Sequence, residues 1–120
     1  MTFRHLYFTA CLAAGFALFS GAALSHSKKE TTMPVDGAVL EATPEVIAMT
    51  FDKPMRLTLV QLTNSDGAAV NMTRTDGMAP VTKFEATPSE MEPGAYTLEW
   101  RGLSSDGHPM EGRFSFQIAD

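Results

Sequence analysis

Two histidines, His26 and His108, offer the metal-binding chemistry of this sequence. His108 follows Asp106 by two residues, and in extended backbone residues i and i+2 point to the same side, so both side chains can face one ion. His26 becomes the N-terminal residue if a leader ends at Ser25, and it then offers an α-amine together with its imidazole. Divalent copper favours nitrogen and oxygen donors in a tetragonal plane. We therefore expect His26, Asp106 and His108 to form a copper site.

The start of the chain has the composition of a secretory signal peptide. A short basic segment is followed by an apolar run over residues 6–19 and then by small residues. The apolar run is shorter than the roughly 20 residues that a membrane span requires. The small-x-small pattern permits cleavage after Ser25 and also after Ala23, and only the first makes the following histidine N-terminal. We therefore predict a signal peptide at residues 1–25 and one domain at residues 26–120.

The composition of the chain excludes several other classes of site and partner. The only cysteine, Cys11, lies within the leader, so the exported domain is expected to have neither a disulfide nor a thiolate ligand. The formal net charge of −5 argues against a nucleic-acid partner, which would require a basic face. A metal site in this domain must therefore use nitrogen, oxygen or thioether donors.

Short runs of alternating apolar residues predict the strands that position these side chains. Turn pairs such as Asp66-Gly67 and Pro93-Gly94 separate the runs, and this spacing is typical of a two-sheet β-sandwich. About seven strands are expected, near residues 30–33, 46–51, 57–62, 68–72, 81–86, 96–101 and 113–118. Trp100 is expected in the core, where it can also lie beneath the loop that contains His108. A sandwich permits the first strand and this loop to meet.

The domain resembles the CopC/PcoC copper-resistance proteins over essentially its whole length. The matching segments are residues 33–38, 49–52, 96–101, 104–109 and 112–116, of which the Asp-Gly-His-Pro stretch is the most specific. The resemblance implies an all-β, Ig-like Greek-key sandwich in the periplasm that binds Cu(II) for copper homeostasis, resistance or transfer and is not an enzyme. It implies His26, Asp106 and His108 as ligands, and it favours cleavage after Ser25. A membrane copper transporter or another periplasmic copper protein is the implied partner besides the ion.

Two departures from the family pattern affect the expected ligand set. Some members carry a Glu ligand after a strand-end Phe, where this chain has Lys53 beside Asp52, so we expect no fourth protein side chain at that point. Asp52 is not assigned as a ligand, and whether it substitutes for that Glu or supports the other ligands stays open. Some members also carry a dense Met/His loop for cuprous copper. The candidate thioether donors for Cu(I) here are Met55, Met72 and Met78, because soft sulfur suits that ion. The alternative is that these methionines only fill space in the fold.

Other interpretations of the same residues remain open. An Asp-Gly pair is a common turn, and a histidine before proline is often an ordinary loop residue. A metal-free Ig-like interaction module is therefore one alternative. The second alternative is a copper monooxygenase that uses an N-terminal histidine and a second histidine as a brace. A carboxylate beside His108 argues against it, because oxygen chemistry needs an open position on the metal.

Overall fold

The alternating apolar runs form strands in the computed structural model, which describes residues 30–120. All regular elements within this range are strands, and none of the described residues forms a helix that could cross a membrane. The strands are β1 (Glu30–Met33), β2 (Ala38–Leu40), β3 (Ile47–Asn64), β4 (Ala69–Val70), β5 (Met72–Arg74), β6 (Val81–Pro88), β7 (Gly94–Ser104) and β8 (Pro109–Ile118). The predicted signal peptide at residues 1–25 and His26 lie outside the described residues.

Strand β3 belongs to both layers of the β-sandwich. Its first half, residues 47–55, pairs with β1 and β6, whereas residues 55–64 pair with β7 and, near the end, with β4. The register with β6 shifts between Thr50 and Met55, a stretch that contains Pro54, which has no N–H to donate. One layer is therefore β1-β3-β6-β5, and the other is β2-β8-β7-β3-β4.

The core lies between the two layers and consists of the inward-facing residues of the alternating runs. Fully buried side chains come from four strands: Ile47, Met49, Leu57, Leu62, Phe84, Leu98, Trp100 and Phe116. Burial of each such side chain contributes about 1.5–3 kcal/mol. No polar or charged residue is buried among the described residues, so apolar packing and the strand hydrogen bonds account for the stability of this domain.

The described residues form eight strands, where about seven were expected. The difference comes from one long strand, β3, and three short ones, β2, β4 and β5, that depart from the sequence pattern. The predicted strands at 46–51 and 57–62 are one continuous strand, β3. The predicted strand at 68–72 is two strands, since the chain leaves β3 after Val70 and joins β6 at Met72. The carbonyl of Asn71, between them, accepts a hydrogen bond from the backbone of Ser89 at 2.9 Å. Strand β2 has only three residues and pairs in parallel with β8.

Candidate metal centre

The turn that joins β7 to β8 holds Asp106 and His108 side by side. The backbone N–H of Gly107 donates to the carbonyl of Ser104 at 2.8 Å, and the N–H of Ser104 donates to the carbonyl of His108 at 3.0 Å. Gly107 has a φ of +86°, a conformation that a residue without Cβ adopts readily. Asp106 Oδ2 lies 2.9 Å from His108 Nδ1. A tight turn at Gly107 therefore brings the two side chains together.

The carboxyl group of Asp106 is held in its ionised form. The hydroxyl of Ser104 donates a hydrogen bond to Asp106 Oδ1, and this bond, with the contacts from the backbone and ring of His108, lowers the pKa of Asp106 to about 2. Asp106 therefore carries a negative charge at neutral pH. Its contact with Nδ1 of His108 fixes the orientation of the imidazole beside the carboxylate.

A surface cavity of about 420 Å³ beside this turn is lined by residues from distant parts of the chain. Asp106 and His108 form one side of it, and both side chains are largely exposed. Glu30, at the start of β1, and the crossover of β3 at Asp52 and Lys53 contribute further to the wall. The start of the described chain and the β7–β8 turn therefore meet at one end of the sandwich.

Trp100 also lines this cavity, as the sequence suggested. Its side chain is only 2% exposed, and its ring packs edge-on against Phe51 with 5.2 Å between the ring centroids. The indole N–H is buried and has no hydrogen-bond partner among the described residues. On the neighbouring strand Gly112 leaves room for the ring, since a Cβ there would lie 2.7 Å from Nε1. Trp100 is therefore a core residue that reaches the floor of the cavity.

Of the three methionines predicted to bind cuprous copper, Met55 and Met72 lie far apart. Met55 pairs with Val81 at one end of β6, and Met72 pairs with Pro88 at the other. These positions are seven residues apart in β6, or roughly 23 Å at the rise of a β-strand. Met78 lies in the loop before β6 and is 42% exposed. The prediction that Met72 shares an ion with Met55 is therefore wrong. After Val70 the chain passes from the layer that contains β4 to the layer that contains β5, and closeness in sequence does not reveal this change.

Met110 is a cavity residue that the sequence analysis missed. It lines the same cavity as Met55, Asp106 and His108. A signal for it was present, because Met110 lies two residues after His108 and begins the inward-facing series that continues at Gly112 and Phe114. The alternation in β8 thus indicates that Met110 lies near His108. It does not indicate that Met55, in β3, lies in the same cavity.

The donor set of the turn fits a divalent ion but is incomplete by itself. Within residues 30–120 no three His, Cys, Asp or Glu side chains cluster as a ready-made metal site. Asp106 and His108 supply one oxygen and one nitrogen donor, which suit copper in its divalent state. The third predicted ligand, His26, lies outside the described residues.

Comparison with known proteins gives consistent matches over the described domain. A family model for the CopC domain matches residues 29–119. The copper resistance protein C of Xanthomonas campestris pv. juglandis is 31% identical, and the alignment covers 97% of each chain. That of Pseudomonas syringae pv. tomato is 28% identical over 98% of this chain and 99% of the relative.

Solved structures show the same fold. PcoC, a methionine-rich copper resistance protein from Escherichia coli, has a TM-score of 0.60 and 26% identity, with 78% of this chain and 99% of that chain covered. CopC from Methylosinus trichosporium OB3b has a TM-score of 0.63 and 22% identity, with 75% and 93% covered. The β-sandwich described above is therefore the fold of these two proteins.

Proposed function

Because the chain belongs to the CopC family of copper-binding resistance proteins, we propose that it holds one divalent copper ion in the cavity beside the β7–β8 turn. Asp106 and His108 supply an oxygen and an imidazole nitrogen to the ion. His26 supplies its α-amine and its imidazole once the leader has been cleaved after Ser25. The observation that carries the proposal is the 2.9 Å contact between Asp106 and His108 on the wall of a cavity that also contains Glu30.

The position of Glu30 supports the contribution of His26. His26 precedes Glu30 by four residues in the sequence. Four residues of extended chain span at most about 14 Å. A terminus that leads into Glu30 therefore starts from the wall of the same cavity that Asp106 and His108 line. A ligand from the N-terminus and two from the penultimate loop are thus compatible with the topology of this sandwich.

The donor set supports a role in holding and handing on copper in the periplasm. The ion is the cargo of the protein, and a membrane copper transporter or another periplasmic copper protein would receive it. Lys53 lies where some relatives place a further ligand, so the ion keeps a coordination position for water or for a ligand of the recipient. Because the amine and the imidazoles bind only when deprotonated, acid releases the ion.

Single substitutions of the three proposed ligands test the proposal. His108→Ala and His26→Ala are each expected to lower the affinity for Cu(II) by about 100-fold, and Asp106→Asn by about tenfold. Competition titration against a chromophoric copper chelator measures these affinities, and circular dichroism checks that the β-sandwich is retained.

The chain provides a matched control for the aspartate substitution. Ser65-Asp66-Gly67 repeats the Ser-Asp-Gly sequence of the β7–β8 turn, and Gly67 has a φ of +83°. Asp66→Asn therefore removes the same charge from the same kind of turn but away from the cavity, and its Cu(II) affinity should equal that of the unaltered protein. Unchanged affinity in both His108→Ala and Asp106→Asn would exclude the proposed site.

A further inference from the structure

The inner end of the cavity contains two thioether side chains that the proposed Cu(II) site does not use. Met55 and Met110 both line the cavity together with His108. Met55 is 5% exposed and Met110 is half-buried, whereas the side chain of His108 is 75% exposed. The three side chains therefore form a series that runs from the core of the sandwich to its surface.

The strand register places the two sulfur-containing side chains on the same face of the β7–β8 pair. Met110 lies directly opposite Gly102. Directly opposed residues of antiparallel strands project their side chains to the same face, with Cβ atoms about 5 Å apart. Gly102 has no side chain, and the position that its Cβ would occupy lies 3.1 Å from the sulfur of Met55. The sulfur of Met55 thus takes the place of a side chain opposite Met110.

His108 extends the same row of residues. It precedes Met110 by two positions, and its carbonyl continues the β7–β8 ladder by accepting from the backbone of Ser104 at 3.0 Å. Met55 in turn is the register partner of Ser104 on the other side of β7. Two methionines, from β3 and β8, and the imidazole of the β7–β8 turn thereby meet at one end of the sandwich.

This set of donors differs in chemical softness from the cupric set. Thioether sulfur selects monovalent copper and imidazole suits both oxidation states, whereas a site of nitrogen and oxygen donors suits the divalent ion. We propose that Met55, Met110 and His108 bind a cuprous ion at the inner end of the cavity. The inference rests on the proposed function in one respect, since His108 belongs to both sets of ligands. Because His108 is shared, the cavity holds one copper ion at a time, in either oxidation state.

Anaerobic competition titration with a chromophoric cuprous chelator tests the site on the exported protein. Met55→Leu and Met110→Leu are each expected to lower the Cu(I) affinity by about tenfold or more, because leucine keeps a similar apolar volume and removes the sulfur. Copper K-edge X-ray absorption should show sulfur neighbours in the unaltered protein and fewer of them in each variant. A protein already loaded with Cu(II) should take up no additional Cu(I).

Met72→Leu is the matched control. Met72 is also half-buried against the core, but it pairs with the opposite end of β6. Its Cu(I) affinity should therefore remain that of the unaltered protein. If both Met55→Leu and Met110→Leu bind Cu(I) as tightly as Met72→Leu does, the cuprous site is excluded. Met110 is only half-buried, so Met110→Leu alone decides the matter if Met55→Leu does not fold.

Parallel titrations separate the failure of this inference from failure of the proposed function. A loss of Cu(I) affinity in Met110→Leu, with Cu(II) affinity unchanged in Asp106→Asn and His108→Ala, would exclude the cupric site and leave the cuprous one. The reverse pattern, with the turn variants losing Cu(II) and the methionine variants keeping Cu(I), would exclude only the cuprous site.

Discussion

Single residues around a common turn decide whether it has metal-binding chemistry. The chain contains two Ser-Asp-Gly turns, and their glycines have nearly the same φ, +83° at Gly67 and +86° at Gly107. In the first turn the side chain of Asn64 accepts hydrogen bonds from the backbone of Asp66 and Ala68, each at 2.9 Å. Directly after the glycine, the second turn has His108 where the first has Ala68. Three positions before the glycine, it has Ser104 where the first has Asn64. Those two differences create the ionised carboxylate and the adjacent imidazole.

Ser104→Ala should raise the pKa of Asp106 from about 2 toward the ordinary value of 3.8, because the Ser104 hydroxyl is the main cause of the low pKa. The pKa of the folded protein lies below that of the unfolded chain, so Asp106 stabilises the fold above about pH 4 and loses this effect as the pH falls toward 2. Carboxyl ¹³C NMR titration of the metal-free protein measures the shift. Ser105→Ala, one position along, serves as the control, and an unchanged pKa in Ser104→Ala would contradict the assignment.

Lys53→Glu should raise the Cu(II) affinity by roughly tenfold. The substitution removes a positive charge from the cavity wall and adds a carboxylate donor there. Lys83→Glu changes the net charge equally but lies on the exposed face of β6, where it faces Glu85 at 3.4 Å. Competition titration of the two variants separates a local ligand from a general charge effect. Equal gains in both would show that only net charge matters.

At the scale of elements, the predictable part of the fold is the alternation within each strand. Most strands were foreseen because inward-facing apolar residues recur at every second position, as in β7 and β8. The continuity of β3 was not foreseen, because Asp52, Lys53 and Pro54 interrupt its apolar pattern while the strand changes partners.

The site was predictable to the extent that it depends on local sequence. Asp106 and His108 lie in one turn, so their proximity was expected. Met55 and Met110 line one cavity because the register places Gly102 opposite Met110, and no local pattern encodes that register. Nor does a local pattern show that Met55 and Met72 lie far apart. Their separation follows from the tertiary step in which the chain changes layers between them.

The close approach of β8 to β7 at Gly112 gives a prediction about packing. Gly112→Ala should destabilise the domain by about 1–3 kcal/mol, because the new methyl group would collide with the indole of Trp100. Trp100 is the only tryptophan, so chemical denaturation followed by its fluorescence reports both the stability and the ring environment. Glu111→Ala on the exposed face of the same strand should change the stability little, because its ion pair with Arg101 is exposed. Equal stability of the two variants would show that the ring is free to move.

At the scale of the whole molecule, the cavity is lined by segments from the beginning and from near the end of the domain. The start of β1 and the turn before the last strand meet at Glu30, Asp106 and His108. The described residues contain no cysteine, so this arrangement is maintained by the core and by strand pairing alone. The affinity for copper is therefore expected to depend on how the chain begins, far away in sequence from the loop that holds the ion.

Exported protein should have the intact mass of a chain that begins at His26. Cleavage after Ala23 would leave Leu24 and Ser25 ahead of it, and the α-amine could no longer join the imidazole on the ion. A mature form that retains these two residues should bind Cu(II) about tenfold or more weakly. Mass spectrometry with and without one equivalent of copper gives the N-terminus and the stoichiometry together. Equal affinity of the two forms would exclude the terminal amine as a ligand.

Because β3 is a member of both layers, the two layers are expected to open together. Breaking the pairing of residues 47–55 with β6 frees a segment that continues directly into residues 55–64, which hold β7. Local opening of one layer would thus disturb the other, and backbone amides in β6 and β7 should exchange with solvent at similar rates. Proteases cut extended, accessible chain, so a domain without a half-open form resists digestion until it unfolds entirely. For a protein that is exported as proposed, that resistance lengthens its lifetime among extracytoplasmic proteases.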